Sequence, residues 1–303
     1  MYQTMPIPHQ QIPTPLQKLV SPVFAQAGIE VWIKRDDLNH PLIQGNKWHK
    51  LKLNLEQAKQ QGAQELISFG GAYSNHIAAL AAAGKAYGFA TRGFIRGDEL
   101  AHNNQAWSAT LKTAAENGMM FEFLSRSEYR LRHNPSWLSD LQQSYPNGFI
   151  LPEGGSNPLA VAGFESLINE LNQQLDFSHL LCAVGTGGSL AGMAKFARAD
   201  QQVWGIASLK QADYLIPQIK DWIAEDKQNW HLWTEFHGGG YGKTTDEIIN
   251  KTNEFETQFN VLLDPIYTAK LVYGFYQLLS NGCFKRGSRV VLYHSGGLQG
   301  REG

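Results

Sequence analysis

The sequence has 303 residues, of which 43% are hydrophobic and 17% charged, a composition typical of a globular protein with one large domain or two moderate ones. The formal net charge is −1, from 26 basic and 27 acidic residues, so the sequence gives no electrostatic signal for binding nucleic acid or an anionic membrane. The polar, proline-rich start is unlike a signal peptide, no apolar run of about 18 residues occurs, and Cys182 and Cys283 lie far apart, which together predict a reduced, cytoplasmic protein.

Short apolar runs that are typical of strands alternate with stretches of helical period along most of the chain. In chain order, the apolar runs are EVWIKR, ELISFG, TRGFIR, MFEFL, GFILP, HLLCAVG, QVWGIAS and SRVVLYH. The helical stretches between them include residues 75–86, 104–117, 158–174, 188–198 and 268–280. This alternation predicts an α/β fold with open, mostly parallel sheets that helices cover on both faces.

The chain length favours two such sheets, and no linker separates them in the sequence. We therefore expect a discontinuous arrangement, in which one α/β domain is inserted into another. The larger domain is predicted to comprise residues 1–50 and 151–303, and the smaller one residues 51–150.

The first predicted helix has an unexpected charge pattern in the stretch IQGNKWHK. Asn46 suits the N-cap and Gly62 the end of the helix, but Lys47 and Lys50 occupy the first turn. The partial positive charge of a helix N-terminus disfavours the charged form of a lysine, and burial lowers its pKa further. A neutral amine is what an imine-forming enzyme needs. Taken alone, a solvated lysine tolerated at a cost of ~0.3–1 kcal/mol is the simpler interpretation.

The stretch AVGTGGSLAGM predicts a loop that binds a single phosphate. An apolar strand runs directly into Gly185, Thr186, Gly187, Gly188 and Ser189, and a helix follows. Glycines allow close approach of an anion, and the free N–H groups at the start of a helix point at it. The spacing matches neither the dinucleotide fingerprint nor the nucleotide-triphosphate loop, which requires a lysine. The alternative is a glycine-rich connection that packs a helix tightly on a strand.

One phosphate site and one imine-forming lysine together indicate a site for pyridoxal 5′-phosphate.

Several other kinds of active site are disfavoured. HGGGYGK resembles the oxyanion loop of lipases, but the chain lacks their G-x-S-x-G elbow. No H-E-x-x-H motif occurs, so no metal site is predicted.

In these residues the chain resembles the 1-aminocyclopropane-1-carboxylate deaminase and D-cysteine desulfhydrase family. That family belongs to the fold-type II, tryptophan synthase β-like pyridoxal-phosphate enzymes. The resemblance runs from about residue 12 to 297, with the family motifs in order. They are IKRDDLNHPLIQGNKWHKLK, SFGGAYSNHIAALAAAG, LPEGGSNPLAVAGF, VGTGGSLAGM, LDPIYTAK and LYHSGG.

The resemblance implies a role for each motif. Lys47 would form the imine with the cofactor, and residues 185–189 would hold its phosphate. Asn75 would face the ring hydroxyl, and Ser74 and His76 would lie in the loop that receives the substrate carboxylate.

On the substrate side, the resemblance places Tyr267 over the substrate with Tyr241 as a second aromatic hydroxyl. A hydroxyl of either Ser295 or Thr268 would face the pyridine nitrogen. Family members of this kind act on small amino acids, and we expect a homodimer.

Two residues favour α,β-elimination over opening of a cyclopropane ring. Cyclopropane-opening members usually have an acid at the position of Thr268 and glutamine at that of His76, whereas this chain has the residues of D-cysteine desulfhydrases. The expected products are pyruvate, ammonia and sulfide. The alternatives are 1-aminocyclopropane-1-carboxylate deamination and, from another class, a non-catalytic phosphometabolite-binding protein. Tyr73 and the loop GGLQGREG depart from the family pattern where substrate would bind.

Overall fold

The computed structural model describes residues 10–223 and 227–301, and it contains every strand that the apolar runs predicted. The strands are β1 Leu16–Leu19, β2 Glu30–Lys34, β3 Glu65–Gly71, β4 Ala90–Arg96, β5 Met119–Leu124, β6 Gly148–Ile150, β7 His179–Val184, β8 Gln202–Ala207, β9 Trp230–Trp233 and β10 Arg289–Tyr293. The sequence did not predict the edge strands β1 and β9.

Helices fill most of the connections between the strands. They are α1 Pro22–Ala27, α2 Asn46–Gln60, α3 Asn75–Tyr87, α4 Ala109–Glu116, α5 Arg126–Tyr129, α6 Pro135–Ser144, α7 Pro158–Ala162, α8 Glu165–Gln174, α9 Gly188–Phe196, α10 Leu215–Trp222, α11 Asp246–Phe259 and α12 Thr268–Ser280. Within the described residues, no helix combines the length and the apolar character needed to cross a bilayer.

The larger sheet has the strand order β1-β2-β10-β7-β8-β9, and all its pairs are parallel except β1 with β2. Both faces of strand β7 are buried. Leu180 and Cys182 pack into a core with α8, α9 and α10, whereas Leu181 and Ala183 pack into a second core with α11 and α12. Burial on both faces explains why this strand is a continuous apolar run.

The smaller sheet has the order β5-β4-β3-β6 and is parallel throughout. Helices α2, α3 and α4 contribute to the core on one face, and Trp137 and Leu141 of α6 pack on the other. All four strands lie inside the segment predicted as the smaller domain, although the exact domain boundaries stay a prediction. Two open, mostly parallel sheets confirm the predicted α/β class.

Candidate active site

The carboxyl ends of the parallel strands face a cavity of about 760 Å³ between the two sheets. Most of the residues that the sequence singled out line it. They are Lys47, Ser74, Asn75, His76, Gly185, Thr186, Gly187, Ser189, Tyr241, Tyr267 and Ser295. Of the candidate site residues, Gly188 and Thr268 do not form part of the wall.

Lys47 lies in the first turn of α2, but the helix begins one residue earlier than predicted. Gly45 is the N-cap, with φ 61°, and the prediction that Asn46 caps the helix is wrong. A side chain at position 45 would place its Cβ 1.9 Å from the Ser295 carbonyl oxygen, so only glycine allows this approach. Asn46 is helical, and its amide donates to Ser189 Oγ at 2.9 Å while Oδ1 accepts from Lys47 Nζ at 2.5 Å.

The pKa of both cavity lysines is lowered, in the direction that the sequence predicted. Burial lowers the pKa of Lys47 to about 8, and the negative charge of Asp264 opposes the shift. Burial and the charge of Lys47 lower the pKa of Lys50 to about 7. Burial is the largest cause of the lowered pKa in both lysines.

Lys50 anchors a group of hydrogen-bonding atoms beside the glycine loop. Its Nζ donates to Ser156 Oγ at 2.9 Å, Gly154 O at 3.0 Å and Thr186 Oγ1 at 3.3 Å, and the two hydroxyls are 2.6 Å apart. Sequence reasoning did not single out Ser156, although its loop GGSNP resembles the phosphate loop in composition. A cation and two hydroxyls beside free N–H groups suit a phosphate.

The glycines of the phosphate loop are required by packing as well as by close approach. Gly187 caps α9 with φ 81°, and a Cβ there would lie 2.8 Å from Ile219 Cγ1. A Cβ at Gly188 would lie 2.6 Å from Ser156 Oγ, which is too close for both atoms to fit. The unpaired N–H groups of the first turn of α9 remain available to an anion.

Helix α3 starts at the opposite wall and presents two unpaired polar atoms. Ser74 is the N-cap, and its Oγ accepts from the Ile77 N–H at 3.4 Å. Asn75 Oδ1 and His76 Nδ1 are buried without a hydrogen-bond partner. A buried polar atom without a partner is destabilising unless a ligand satisfies it.

His76 is held in its neutral form. Burial and the charges of Lys50 and Lys47 lower its pKa to about 3. Nε2 lies 2.9 Å from Ser68 Oγ, and the Ser68 hydroxyl donates to the Leu151 carbonyl at 3.0 Å. A carbonyl can only accept, so the single proton of the Ser68 hydroxyl goes to Leu151. Nε2 must then carry a proton and donate to Ser68 Oγ, which leaves Nδ1 as an acceptor.

Tyr267 and Tyr241 form an aromatic pair over the cavity. Their ring centroids are 6.3 Å apart, and the Tyr241 hydroxyl donates to the Tyr73 carbonyl at 3.4 Å. Burial raises the pKa of the Tyr267 hydroxyl well above its ordinary value, so it stays protonated at neutral pH and can donate a hydrogen bond.

Tyr241 lies on a glycine-rich loop, and the sequence did not predict which residue holds this loop in place. Gly238, Gly239, Gly240 and Gly242 all have positive φ. The fully buried Lys270 holds this loop, since its Nζ donates to the Gly240 carbonyl at 2.7 Å and to the Ser208 carbonyl at 3.1 Å.

The two candidate hydroxyls for the pyridine nitrogen have different surroundings. Thr268 Oγ1 accepts from the Asp264 N–H at 2.6 Å and donates to the Asp264 carbonyl at 3.2 Å, so backbone groups use this hydroxyl. Ser295 follows β10 and lines the cavity. The geometry therefore favours Ser295.

Asp264 is a buried acid beside the site, and the sequence did not predict a role for it. Its Oδ1 accepts from the N–H groups of Tyr267 at 2.5 Å and Ile266 at 3.1 Å, whereas Oδ2 has no partner. Burial raises the pKa of Asp264 to about 6. The motif LDPIYTAK contains this residue, but an isolated acid in a sequence does not reveal its burial.

Comparison with known proteins links this site to one family. The sequence profile of pyridoxal-phosphate dependent enzymes matches residues 7–296. A Thermotoga maritima protein named "Putative 1-aminocyclopropane-1-carboxylate deaminase" is 28% identical over 304 residues, covering 95% of both chains. An Arabidopsis thaliana protein named bifunctional D-cysteine desulfhydrase/1-aminocyclopropane-1-carboxylate deaminase, mitochondrial, is 26% identical over 95% of this chain and 77% of its own length. A solved structure of an ACC deaminase homologue superposes with a TM-score of 0.80 at 26% identity, covering 97% of this chain and 92% of that chain.

Proposed function

The chain belongs to the family of pyridoxal-phosphate dependent enzymes, and from that premise we propose that it catalyses α,β-elimination on a small amino acid, most simply D-cysteine. With water, D-cysteine would give pyruvate, ammonia and sulfide. The observation that carries the proposal is the Lys47 amine, half-buried at the start of α2 with a lowered pKa, in one cavity with a phosphate cradle and the Tyr267 side chain.

The residues of the cavity fit pyridoxal phosphate. The cradle of Lys50, Ser156 and Thr186 lies beside the start of α9 and matches a phosphate in charge and in donors. The unpartnered Oδ1 shows that the Asn75 amide has hydrogen-bonding capacity that no protein group uses, and a ring hydroxyl would take it. The Ser295 hydroxyl would face the pyridine nitrogen.

When bound, pyridoxal phosphate supplies the electron sink for the substrate α-carbon. Lys47, neutral in a fraction of molecules at neutral pH, removes the α-proton. Ser74 and the free N–H groups at the start of α3 bind the substrate carboxylate. Tyr267 donates a hydrogen bond to the departing thiolate. His76 is the other candidate donor by sequence, but its neutral ring turns Nδ1, a hydrogen-bond acceptor, to the cavity.

Elimination is favoured over ring opening by the absence of a free carboxylate in the wall. Among the described residues, Glu153 is the only acid that lines the cavity. Its two oxygens are already bonded to Tyr129 OH at 2.7 Å and Arg132 Nε at 2.8 Å. A neutral hydroxyl keeps the pyridine nitrogen less protonated than an acid would, which favours prompt loss of a β-leaving group.

The competing proposal is deamination of 1-aminocyclopropane-1-carboxylate with Tyr267 as nucleophile. The two relatives described above carry that activity in their names, so it must be measured directly. Steady-state kinetics with D-cysteine, L-cysteine and the cyclopropane amino acid would decide, with 2-oxo-acid and ammonia release as the assay. A larger kcat/KM for the cyclopropane amino acid than for D-cysteine would overturn the elimination proposal.

Membership of an enzyme family leaves no support for the alternative of a non-catalytic phosphometabolite-binding protein. The proposal further includes a homodimer in the cytoplasm. Sedimentation of the purified protein would test the oligomeric state, and fractionation of the source cells would test the location.

A further inference from the structure

Two arginines of the smaller sheet and its connections line the cavity. Arg96 is the last residue of β4, and Arg132 lies three residues after α5. Both guanidinium groups lie over the buried Tyr129 ring, with Cζ 5.9 Å from the ring centroid for Arg96 and 4.5 Å for Arg132. A cation–π contact orients a guanidinium group and leaves its N–H groups available to other partners.

The structure neutralises the charge of Arg132 but not that of Arg96. Arg132 Nε donates to Glu153 Oε2 at 2.8 Å, and the other oxygen of Glu153 accepts from Tyr129 OH at 2.7 Å. Within residues 10–223 and 227–301, the contact with Tyr129 is the one interaction of the Arg96 guanidinium, and no acid pairs with it. Arg96 is thus a cation with unused donors in the wall of the cavity.

Arg96 lies beside the turn that leads into α3. Strands β3 and β4 pair in a register that sets Arg96 opposite Gly71, and Arg96 Nη2 would lie 3.7 Å from a Cβ at Gly71. The Ser74 N–H donates to the Gly71 carbonyl at 3.0 Å, which closes a tight turn just before the helix. The guanidinium group and the start of α3 therefore belong to the same end of the cavity.

The cavity has one positive charge more than the cofactor and a simple amino acid would use. Besides its histidines, the described part of the wall carries the charged residues Lys47, Lys50, Arg96, Arg132 and Glu153. Lys47 would bond to the cofactor and Lys50 to its phosphate, Glu153 neutralises Arg132, and the start of α3 would bind the substrate carboxylate. Arg96 is left without an anion.

We propose that the substrate is an amino acid with a second oxyanion, such as a carboxylate, on its side chain, and that Arg96 binds this group. A guanidinium group suits an oxyanion because its N–H donors can form paired hydrogen bonds. The inference rests on the proposed function for the placement of the amino acid, and it narrows the substrate class to anionic side chains. D-Cysteine, which lacks the oxyanion, would undergo the same chemistry without this contact.

Binding of unreactive amino acids to the holoenzyme tests the inference without turnover. D-Glutamate and D-glutamine differ by one charge at nearly the same shape, as do D-aspartate and D-asparagine, and none has a group that leaves from the β-carbon. The change in visible absorbance on addition gives each dissociation constant, and the L enantiomers are measured in the same way. Because solvent weakens a pair with an exposed arginine, the wild type should bind at least one acid about fivefold more tightly than its amide, and Arg96→Gln should lose this preference.

Arg130→Gln is the matched control. Arg130 is also an exposed arginine and adjoins Tyr129 in the sequence, but it does not line the cavity. This variant should keep the wild-type ratio of the two dissociation constants. An equal loss of preference in Arg130→Gln would overturn the proposal, since net charge alone would then explain the effect.

Three other results would also overturn it. They are equal binding of acid and amide by the wild type, no binding of either acid, and a preference that survives in Arg96→Gln. Equal weakening of acid and amide in that variant would place Arg96 at the carboxylate common to both ligands instead. The proposed elimination is judged separately, by pyruvate and sulfide release from D-cysteine, so either proposal can fail while the other stands.

Discussion

The Lys270 ammonium, buried on α12, donates to the Gly240 carbonyl at 2.7 Å, one residue before Tyr241. A charge-assisted hydrogen bond thus links the helix that follows Tyr267 to the loop that carries the second tyrosine. The loop itself has no side chains at its glycines to pack it in place, so this contact fixes the position of the Tyr241 ring relative to Tyr267.

Replacing Lys270 by methionine should therefore loosen the Tyr241 loop. The carbonyls of Gly240 and Ser208 lose their buried donor, and misplacement of Tyr241 should lower kcat/KM by roughly tenfold while cofactor content is retained. Steady-state kinetics and absorbance measure the two quantities. Lys251→Met, which removes an exposed cation paired with Glu254, is the control and should behave as wild type. Equal kinetics for the two variants would contradict a positioning role for Lys270.

Lys47 and Lys50 lie one turn apart on α2, and their replacement by alanine should have different consequences. Lys47→Ala should lose the visible absorbance of the lysine–cofactor bond and nearly all turnover, because the reactive amine is gone. Borohydride reduction of the wild type, followed by peptide mapping, should place the cofactor on residue 47. Recovery of the modified peptide at Lys50 or any other lysine would contradict the assignment of roles.

Lys50→Ala should keep the absorbance but hold the cofactor less tightly. The variant removes the cation that bonds to Ser156 Oγ, Thr186 Oγ1 and the Gly154 carbonyl. A charged hydrogen bond contributes about 1.5–3 kcal/mol, so the dissociation constant for the cofactor should rise roughly tenfold or more. Equilibrium dialysis against free cofactor would measure it. An unchanged dissociation constant would show that Lys50 does not face the phosphate.

Gly187→Val should reduce cofactor retention, and Gly118→Val should not. Both glycines have a left-handed backbone, with φ of 81° and 85°, so both variants carry similar backbone strain. A side chain at position 187 also collides with Ile219 and displaces the loop, whereas nothing lies within 4 Å of a Cβ at position 118. Cofactor content per chain, measured by absorbance after dialysis, distinguishes the effect of backbone strain from the effect of displacing the phosphate loop. Equal losses in the two variants would count against the phosphate-loop assignment.

His76 should make the stability of the protein fall as the pH is lowered. Its folded-state pKa of about 3 is below the ordinary value of 6.5, so the unfolded chain binds more protons between these values. The contribution of His76 is therefore fully present above pH 6.5 and is lost as pH falls towards 3, by about 2 kcal/mol between pH 6.5 and 5. Denaturant unfolding at several pH values should give a shallower slope for His76→Gln than for wild type. The exposed His102→Gln should keep the wild-type slope, and an equally steep slope in both variants would refute the assignment.

The sequence predicted eight strands, including the edge strands β5 and β6 of the smaller sheet, and missed the two edge strands of the larger sheet. β7 is a continuous apolar run because helices cover both its faces, whereas β1 (LQKL) and β9 (WHLW) are short and mix polar with apolar residues. Both form edges of the larger sheet, and most of their side chains are only partly buried, so no continuous apolar run is required.

Helix limits depended on contacts that no local pattern contains. The predicted helix over residues 158–174 is divided into α7 and α8 near Gly163, where a Cβ would lie 1.9 Å from the His49 carbonyl oxygen. Gly45 replaced Asn46 as the N-cap because the chain must pass against Ser295. Close approach of two distant backbones determined both positions.

The site residues that motifs name were predicted, and those defined by burial were not. Lys47 and the glycine loop combine residue type with position in a motif, so the sequence alone identified them. Asp264 and Lys270 are ordinary charged residues until the fold removes them from water and leaves each with a particular partner. Their importance is a property of tertiary structure.

The strand order of the larger sheet has a consequence for the order of events during synthesis. β10, at residues 289–293, lies between β2, at residues 30–34, and β7, at residues 179–184. The two early strands therefore cannot join one sheet until residues 289–293 have left the ribosome, and Ser295 reaches Gly45 only after that. The smaller sheet, complete by residue 150, can assemble first and hold α2 in its core. The nascent protein thus carries its reactive lysine on a formed helix well before the cofactor pocket closes around it.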